Sequence, residues 1–276
     1  MSKAQILQKE NEMMDRAFED LLNDYINSPH SKKVDIIRKA YQFAKTAHAG
    51  VRRRSGEPYI IHPIAVAHIV CKDIGLGSTS IRAALLHDVV EDTDYTVEDI
   101  ENLFGAKVAQ IVDGLTKISG GIFGDRASAQ AENFKKLLLT MNDDIRVILI
   151  KIADRLHNMR TLEAQRPEKQ RKIAAETQYI YAPMAHRLGL FPIKTELEDL
   201  SLKYTSREVY KEIATKLNET KRSRDAYIKT FIEPVKARLE AEGLKFSIKG
   251  RTKSIHSIWN KIRKQQVPFE KVYDLF

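Results

Sequence analysis

The sequence LLHDVVEDT at residues 85–93 sets one histidine and three carboxylates among leucine and valine. Its charged members are His87, Asp88, Glu91 and Asp92. A carboxylate beside a buried apolar run is costly unless solvent, a basic partner or a metal ion compensates its charge. If residues 80–92 form one helix, the four groups share a sector, because positions four apart are neighbours on a helix surface. We therefore predict a largely buried helix that carries a functional face.

Helical periodicity extends over most of the chain. Residues 34–50, for example, place Ile37, Ala40, Tyr41 and Ala44 on one face. Residues 207–242 are a highly charged stretch of helix-forming residues, and residues 244–251 alternate apolar and polar positions like a strand. We predict a mostly α protein with a domain of residues 1–200, followed by residues 201–276 as a helical linker and the start of a second unit.

The composition is that of an ordinary globular protein, with 43% hydrophobic and 30% charged residues in 276. A single cysteine, Cys71, excludes an intramolecular disulfide framework and fits a reducing compartment. There is no apolar run of about 18 residues and no secretory leader, so we expect a cytoplasmic protein. The net charge of +9 is compatible with an anionic ligand or with a solvated basic surface.

Two adjacent residues, His87 and Asp88, do not complete a metal coordination sphere. Candidates for further ligands are His62, in the first turn of a predicted helix, and Asp154, which follows the apolar run VILIKIA. Neutral imidazole and carboxylate oxygen suit divalent first-row metals, and the lack of thiolates argues against a structural zinc site. The residue types alone do not distinguish a metal site from the alternative, in which His87 and Asp88 are a solvated pair at the surface.

Two further polar features lie near these candidates. Asn158 and Thr161 follow Asp154 on one helical stripe, which is either a substrate-binding face or a plain polar face. The loop VRRRSGEPY at residues 51–59 carries three consecutive arginines. Arginine stacks on purines and forms forked contacts with phosphate, so the loop is suited to a nucleotide. A solvated charge run is again the alternative.

Five motifs together resemble the RelA/SpoT homologues, the bacterial synthetases and hydrolases of guanosine tetra- and pentaphosphate that serve the stringent response. In chain order they are GEPYIIHP (56–63), AALLHDVVEDT (83–93), KIADRLHNMRTL (151–162), YAPMAHRLGL (181–190) and IKGRTKSIHSIWNKI (248–262). The resemblance runs from about residue 30 to the end of the chain. It implies that the first half is an all-helical HD-type hydrolase domain, named for its His-Asp pair.

The resemblance also implies roles for individual residues. The implied manganese ligands are His62, His87, Asp88 and Asp154. Glu91 and Asp92 match the residues that act at the attacking water, and we expect Glu91 to be the principal acid/base. The implied nucleotide-binding residues are Arg53, Arg54, Ser55, Asn158 and Thr161. Arg52 has no role that the motif assigns.

The C-terminal motif resembles the opening of the family's α/β synthetase domain. There Arg251 and Lys253 match residues that grip the ATP donor, and Asp274 matches a catalytic metal-binding aspartate. The rest of that domain does not follow, so we expect an N-terminal fragment whose synthetase half is truncated and inactive. Its expected partners are the missing synthetase and regulatory domains. We expect no binding to a membrane and no direct binding to nucleic acid.

The function expected from the resemblance is Mn²⁺-dependent hydrolysis of the 3′-diphosphate of ppGpp or pppGpp to GDP or GTP plus diphosphate. A second hypothesis is an HD phosphohydrolase of another nucleotide, such as NADPH. A third is a non-catalytic module that senses the nucleotide and regulates the synthetase half.

Overall fold

The computed structural model describes residues 2–119, 144–248, 250 and 252–272. In these ranges the regular structure is helical and no β-strand occurs, which confirms the mostly α fold class. No described helix is both long and apolar enough to span a membrane. The chain divides into two compact units, Met1–Pro167 and Glu168–Phe276. A functional domain boundary near residue 200 stays a prediction.

The first unit is built from helices joined by short loops. Its α-helices are α1 (Lys3–Ile26), α2 (Val34–Ala47), α3 (Ile61–Lys72), α4 (Ser78–Leu86), α5 (Val89–Asp92), α6 (Val97–Phe104), α7 (Ala106–Ser119) and α8 (Ile145–Arg160), followed by a 3₁₀ turn at Leu162–Ala164.

The core of this unit lies around α3 and α4. Helix α4 packs on α2, α3 and α7, and α3 also packs on α1 and α8. Both helices are apolar on most of their surface, as expected for helices enclosed by others. Ile64, Ile81 and Leu85 are among the fully buried side chains. This packing brings the start of α3, the end of α4 and the middle of α8 together.

The prediction of one helix over residues 80–92 is wrong. The structure has two helices, α4 and α5, with a turn at His87 and Asp88. The Nδ1 atom of His87 lies 2.8 Å from the carbonyl oxygen of Ala84. That oxygen is the acceptor that a continuing α-helix would offer to the amide of Asp88. The histidine ring therefore competes with the helix at the position where the chain turns.

The second unit begins within α9 (Pro167–Glu176), which runs into a π-helical turn at Thr177–Tyr181. Its later helices are α10 (Ala182–Arg187), α11 (Phe191–Thr205), α12 (Arg207–Glu219), α13 (Lys221–Ala241) and α14 (Ile255–Gln265), with a 3₁₀ turn at Phe269–Lys271. Ile213, Ile258 and Phe269 form a buried apolar cluster. The carboxylate of Asp199 accepts the backbone N–H groups of Ile255 and His256 and so caps α14.

The strand predicted at residues 244–251 is absent from the part of this segment that the structure describes, residues 244–248 and 250. Residues 244–247 are exposed. A strand is stabilised by hydrogen bonds to a neighbouring strand, and the described ranges contain none to pair with. The alternating pattern of apolar and polar residues was therefore not enough to form a strand in the described part of this segment.

Candidate metal centre and substrate pocket

Four of the predicted residues lie together in the first unit. His62 comes from the first turn of α3, His87 and Asp88 from the turn after α4, and Asp154 from the middle of α8. The Nε2 atom of His62 is 3.2 Å from Asp154 Oδ1 and 3.7 Å from Asp88 Oδ2. His87 Nε2 is 3.1 Å from the same Asp88 oxygen. Ligand atoms of His62, His87 and Asp154 all lie within 4.8 Å of one another.

Hydrogen bonds on the outer side hold each of these side chains. Because a carbonyl only accepts, His87 donates its Nδ1–H to Ala84; its buried Nε2 atom makes no hydrogen bond within the described ranges, although Asp88 Oδ2 lies 3.1 Å away. The hydroxyl of Tyr59 donates to Asp88 Oδ2 at 2.6 Å. The amide of Asn158 donates to Asp154 Oδ1 at 2.6 Å. The Nδ1 atoms of His62 and His157 are 2.8 Å apart.

The charges in the cluster shift the pKa values of its members. Burial opposes ionisation of His87, but the carboxylates of Asp88 and Asp154 outweigh it and raise the pKa of His87 to about 9. Burial lowers the pKa of His62 despite the same carboxylates. At Asp154 burial is outweighed by the charge of Lys151, the hydrogen bond from His62 and the charge of His87, which together hold its pKa well below the usual range. A proton on His87 thus compensates the carboxylates when no cation does.

The donor set fits a divalent cation. Two imidazole nitrogens and two carboxylates converge, and the Nε2 of His87, which is buried and makes no hydrogen bond to any described residue, is placed where a hydrogen bond or a metal bond is required. Bonding the outer nitrogen of a histidine leaves the inner one available as a metal ligand. The mixed nitrogen and oxygen set suits first-row divalent metals.

A cavity of about 530 Å³ opens over this cluster. Its lining is largely polar and includes the predicted residues His62, Asp88, Glu91, Asp154, Arg53, Arg54, Ser55, Asn158 and Thr161. Residues 51–59 form a narrow loop at the cavity, closed by hydrogen bonds from Arg53 N to Glu57 O and from Tyr59 N to Val51 O. Gly56, with φ of +96°, makes the turn of this loop. The loop presents Arg53, Arg54 and Ser55.

The three consecutive arginines make different contacts. Arg52 pairs with Glu10 of α1 at 2.8 Å and donates to the carbonyl of Gly56, so it fastens the loop. Arg53 points inward and donates from Nη2 to Asn158 Oδ1 at 3.2 Å and to Thr161 Oγ1 at 3.1 Å. Arg54 lines the cavity, and no side chain of the described ranges pairs with it. The structure therefore explains Arg52, to which the motif assigned nothing.

The two acidic residues after the turn are both exposed. Glu91 lines the cavity, whereas Asp92 does not. Asp92 instead acts on Tyr59: after burial and the charge of Asp88, its carboxylate is a further cause of the raised pKa of the Tyr59 hydroxyl. Glu91 is thus the member of the pair that faces the cavity.

Three residues in the site were missed from the sequence. They are Tyr59, the buried Lys151, whose Nζ is 3.6 Å from Asp154 Oδ2, and His157. Burial, together with the positive charges of His62 and Arg53, lowers the pKa of His157 to about 3, so its ring is neutral. A signal existed for Lys151, because positions 151, 154 and 158 share one face of a helix. Tyr59 had no comparable pattern.

Of the three residues assigned to a synthetase site, only Lys253 lies within the described residues. Arg251 and Asp274 lie outside the described residues. Lys253 is half-buried and directly precedes Ser254, the residue that caps α14. The roles expected for these three residues stay predictions.

The HD-domain profile matches residues 40–191, more than half of the chain, and the chain belongs to the HD-domain family. It is also similar to RelA/SpoT homologues over most of its length, which confirms the resemblance. It is 46% identical over 91% of its length to a probable guanosine-3′,5′-bis(diphosphate) 3′-pyrophosphohydrolase of Synechocystis. It is 46% identical over 88% to a GTP pyrophosphokinase of Myxococcus xanthus, and 43% identical over 93% to the bifunctional (p)ppGpp synthase/hydrolase SpoT of Escherichia coli.

These relatives are much longer proteins. The chain spans 33% of the Synechocystis protein, 32% of the Myxococcus protein and 36% of SpoT. A solved structure of a metazoan ortholog of SpoT, described as hydrolysing ppGpp, is 27% identical, covers 69% of this chain and 96% of its own, and has a TM-score of 0.40.

Proposed function

We propose that this chain hydrolyses the 3′-diphosphate of ppGpp and pppGpp, releasing GDP or GTP and diphosphate. The observation that carries the proposal is the cluster of two histidines and two aspartates at a cavity that the arginine loop also lines. Such a cavity offers positive charge to a polyanionic nucleotide beside groups that bind a cation. The names of the Synechocystis and Escherichia coli relatives support the same reaction.

The proposed cofactor is Mn²⁺, held by His62, His87, Asp88 and Asp154. When bound, such an ion polarises a phosphoryl oxygen and lowers the pKa of a coordinated water. Tyr59 and Asn158 orient the two aspartates through the hydrogen bonds described above. Lys151 supplies a further buried positive charge beside the reacting phosphates.

Glu91 is the proposed acid/base. Its carboxylate takes a proton from the water whose oxygen bonds to the phosphorus attached to the ribose 3′-oxygen. The bond between that phosphorus and O3′ breaks, and the proton passes to O3′ while diphosphate leaves. Asp92 helps to orient Glu91 or the water. A positioned carboxylate contributes roughly 10²–10⁴-fold to such a step.

The nucleotide is proposed to lie against the arginine loop. Arg53, Arg54 and Ser55 contact the guanine base and a neighbouring phosphate, and Asn158 and Thr161 line the ribose side.

In the second unit, residues 201–276 are proposed as a linker and the start of a synthetase domain. The proposed partners are the remaining domains of a longer chain. Diphosphate release from ppGpp with Mn²⁺, compared with EDTA, tests the function directly.

Each outcome of this assay favours one hypothesis. Metal-dependent release of diphosphate that guanine nucleotides inhibit more strongly than adenine nucleotides supports the proposal. Preference for an adenine nucleotide such as NADPH supports the second hypothesis. Tight binding of ppGpp with no turnover supports the non-catalytic regulatory module and contradicts the proposal.

Arg54→Ala is expected to raise the KM for ppGpp about tenfold or more, because a hydrogen bond to a charged group contributes roughly 1.5–3 kcal/mol. The unfolding midpoint should stay unchanged, since Arg54 pairs with no described side chain. Steady-state kinetics and thermal unfolding measure both. Arg38→Ala, which removes an exposed arginine paired with Glu19, controls for the lost charge. An unchanged KM in Arg54→Ala would place the nucleotide elsewhere.

The affinity for Mn²⁺ is expected to rise with pH. Because the pKa of His87 in the metal-free protein is about 9, the cation must displace a proton from this ring at neutral pH. The dissociation constant should fall by up to about tenfold per pH unit between pH 6.5 and 9 and level off above that. Calorimetric titrations in buffers of different ionisation enthalpy count the released proton. A pH-independent affinity would show that His87 is neutral before binding.

A further inference from the structure

His157 lies next to the candidate metal centre and outside the set of residues that the motifs assign. It follows Asp154 by three residues on α8, and only 8% of its surface is exposed. Its ring centroid is 4.9 Å from that of His62, and the two Nδ1 atoms are 2.8 Å apart. This distance is that of a hydrogen bond between two rings.

A hydrogen bond between two imidazole nitrogens holds a single proton, which belongs to one ring at a time. In one arrangement His157 donates to His62, and His62 carries its own proton on Nε2, towards Asp154 Oδ1 at 3.2 Å. In the other arrangement His62 donates its Nδ1–H to His157. Only the second leaves the Nε2 lone pair of His62 free for a cation.

We propose that His157 is a positioning residue that accepts the Nδ1–H of His62 when a cation is bound, and so supports in the filled site the tautomer of His62 whose Nε2 binds the cation. This inference rests on the metal centre of the proposed function. The nitrogen that a histidine uses for a metal is set by the hydrogen bond that its other nitrogen makes.

The two histidine ligands are supported differently. His87 donates to the carbonyl of Ala84, which accepts only, so its Nε2 is a lone pair under every condition in which the ring is neutral. His62 faces a ring that both donates and accepts, so it is able to carry its proton on Nε2 without a cation and on Nδ1 with one. His157 thus allows His62 to bond Asp154 in the empty site and the cation in the filled one.

The same helix supplies the partner for a second ligand. Asn158, the next residue, donates to Asp154 Oδ1 at 2.6 Å. One turn of α8 therefore carries the ligand Asp154 and two residues that orient ligands. Asn158 orients Asp154, and His157 orients His62 of α3. This arrangement explains why a ring at position 157 is buried beside the cluster without entering it.

His157→Leu is expected to weaken binding of Mn²⁺ by roughly 10- to 100-fold, the usual effect of removing a partner of a metal ligand. His157→Asn is expected to bind Mn²⁺ with an affinity within a few fold of that of the unsubstituted chain, because the asparagine amide also accepts or donates a hydrogen bond. Equilibrium dialysis with Mn²⁺ alone measures the affinity without any nucleotide. Thermal unfolding in EDTA shows how far each substitution affects folding itself.

Equal affinity in His157→Leu and the unsubstituted chain would overturn the inference. Equally weak binding in both variants would also overturn it, because the ring would then act by packing alone. A chain that binds no divalent cation before any substitution would overturn the proposed metal centre itself, and the inference with it. Turnover of a nucleotide is not needed for any of these readings.

A second measurement needs no variant. With the diamagnetic ion Zn²⁺ bound, a ¹H–¹⁵N spectrum of the histidine rings should show His62 protonated on Nδ1 and His157 protonated on Nε2. A His62 ring protonated on Nε2 in the loaded protein would contradict the proposal.

Discussion

His87→Ala is expected to abolish both the proposed binding of Mn²⁺ and the proposed hydrolysis of ppGpp. The substitution removes a buried inner nitrogen that makes no hydrogen bond within the described residues and leaves Asp88 without its nearest imidazole, 3.1 Å away. A catalytic cation contributes several kcal/mol to stabilising the transition state, so the rate should fall on the order of 10³-fold or more. Metal analysis after dialysis and a diphosphate-release assay measure the two effects.

His68→Ala is the matched control for this substitution. His68 lies on α3 and bonds Asp24 at 2.6 Å, away from the cluster, so the same change should leave one equivalent of metal bound. Unfolding of both variants in EDTA separates the loss of a buried ring from the loss of the cation. Retention of a full equivalent of tightly bound Mn²⁺ by His87→Ala would show that the metal centre lies elsewhere.

Glu91→Gln is expected to keep the metal and the nucleotide but to lower kcat by roughly 10²–10⁴-fold, the range for losing a positioned acid/base. Glutamine has nearly the same shape and does not take a proton from water. Glu91 is exposed at the cavity rather than buried in the cluster, so metal affinity and stability should change little. Single-turnover kinetics and nucleotide titrations separate chemistry from binding.

Glu101→Gln, on the exposed side of α6, removes the same charge away from the cavity and should leave kcat unchanged. A near-normal rate in Glu91→Gln would rule out its assignment as acid/base. If Asp92→Asn instead removes the activity, the roles of the two carboxylates are the reverse of those proposed.

Much of the fold was predictable because helical periodicity is a local property. The stripe Ile37, Ala40, Tyr41 and Ala44 is buried as expected, since residues spaced by three and four share a helix face. The single helix over residues 80–92 was not correct. Apolar content predicted burial there, but it carried no information on the competition between the His87 ring and the helix for one carbonyl oxygen.

The sequence by itself determined the types of the ligand candidates, because imidazole and carboxylate groups beside apolar runs require compensation wherever they fold. On that ground His62, His87, Asp88 and Asp154 were candidates, with a solvated surface pair as the alternative, and the resemblance to the RelA/SpoT homologues implied the full set. Only the tertiary structure decided how their charges are compensated. Tyr59 reaches Asp88 at 2.6 Å and His157 reaches His62 at 2.8 Å, each between elements remote in the chain, and hydrogen-bond and electrostatic energies depend on those distances rather than on sequence spacing.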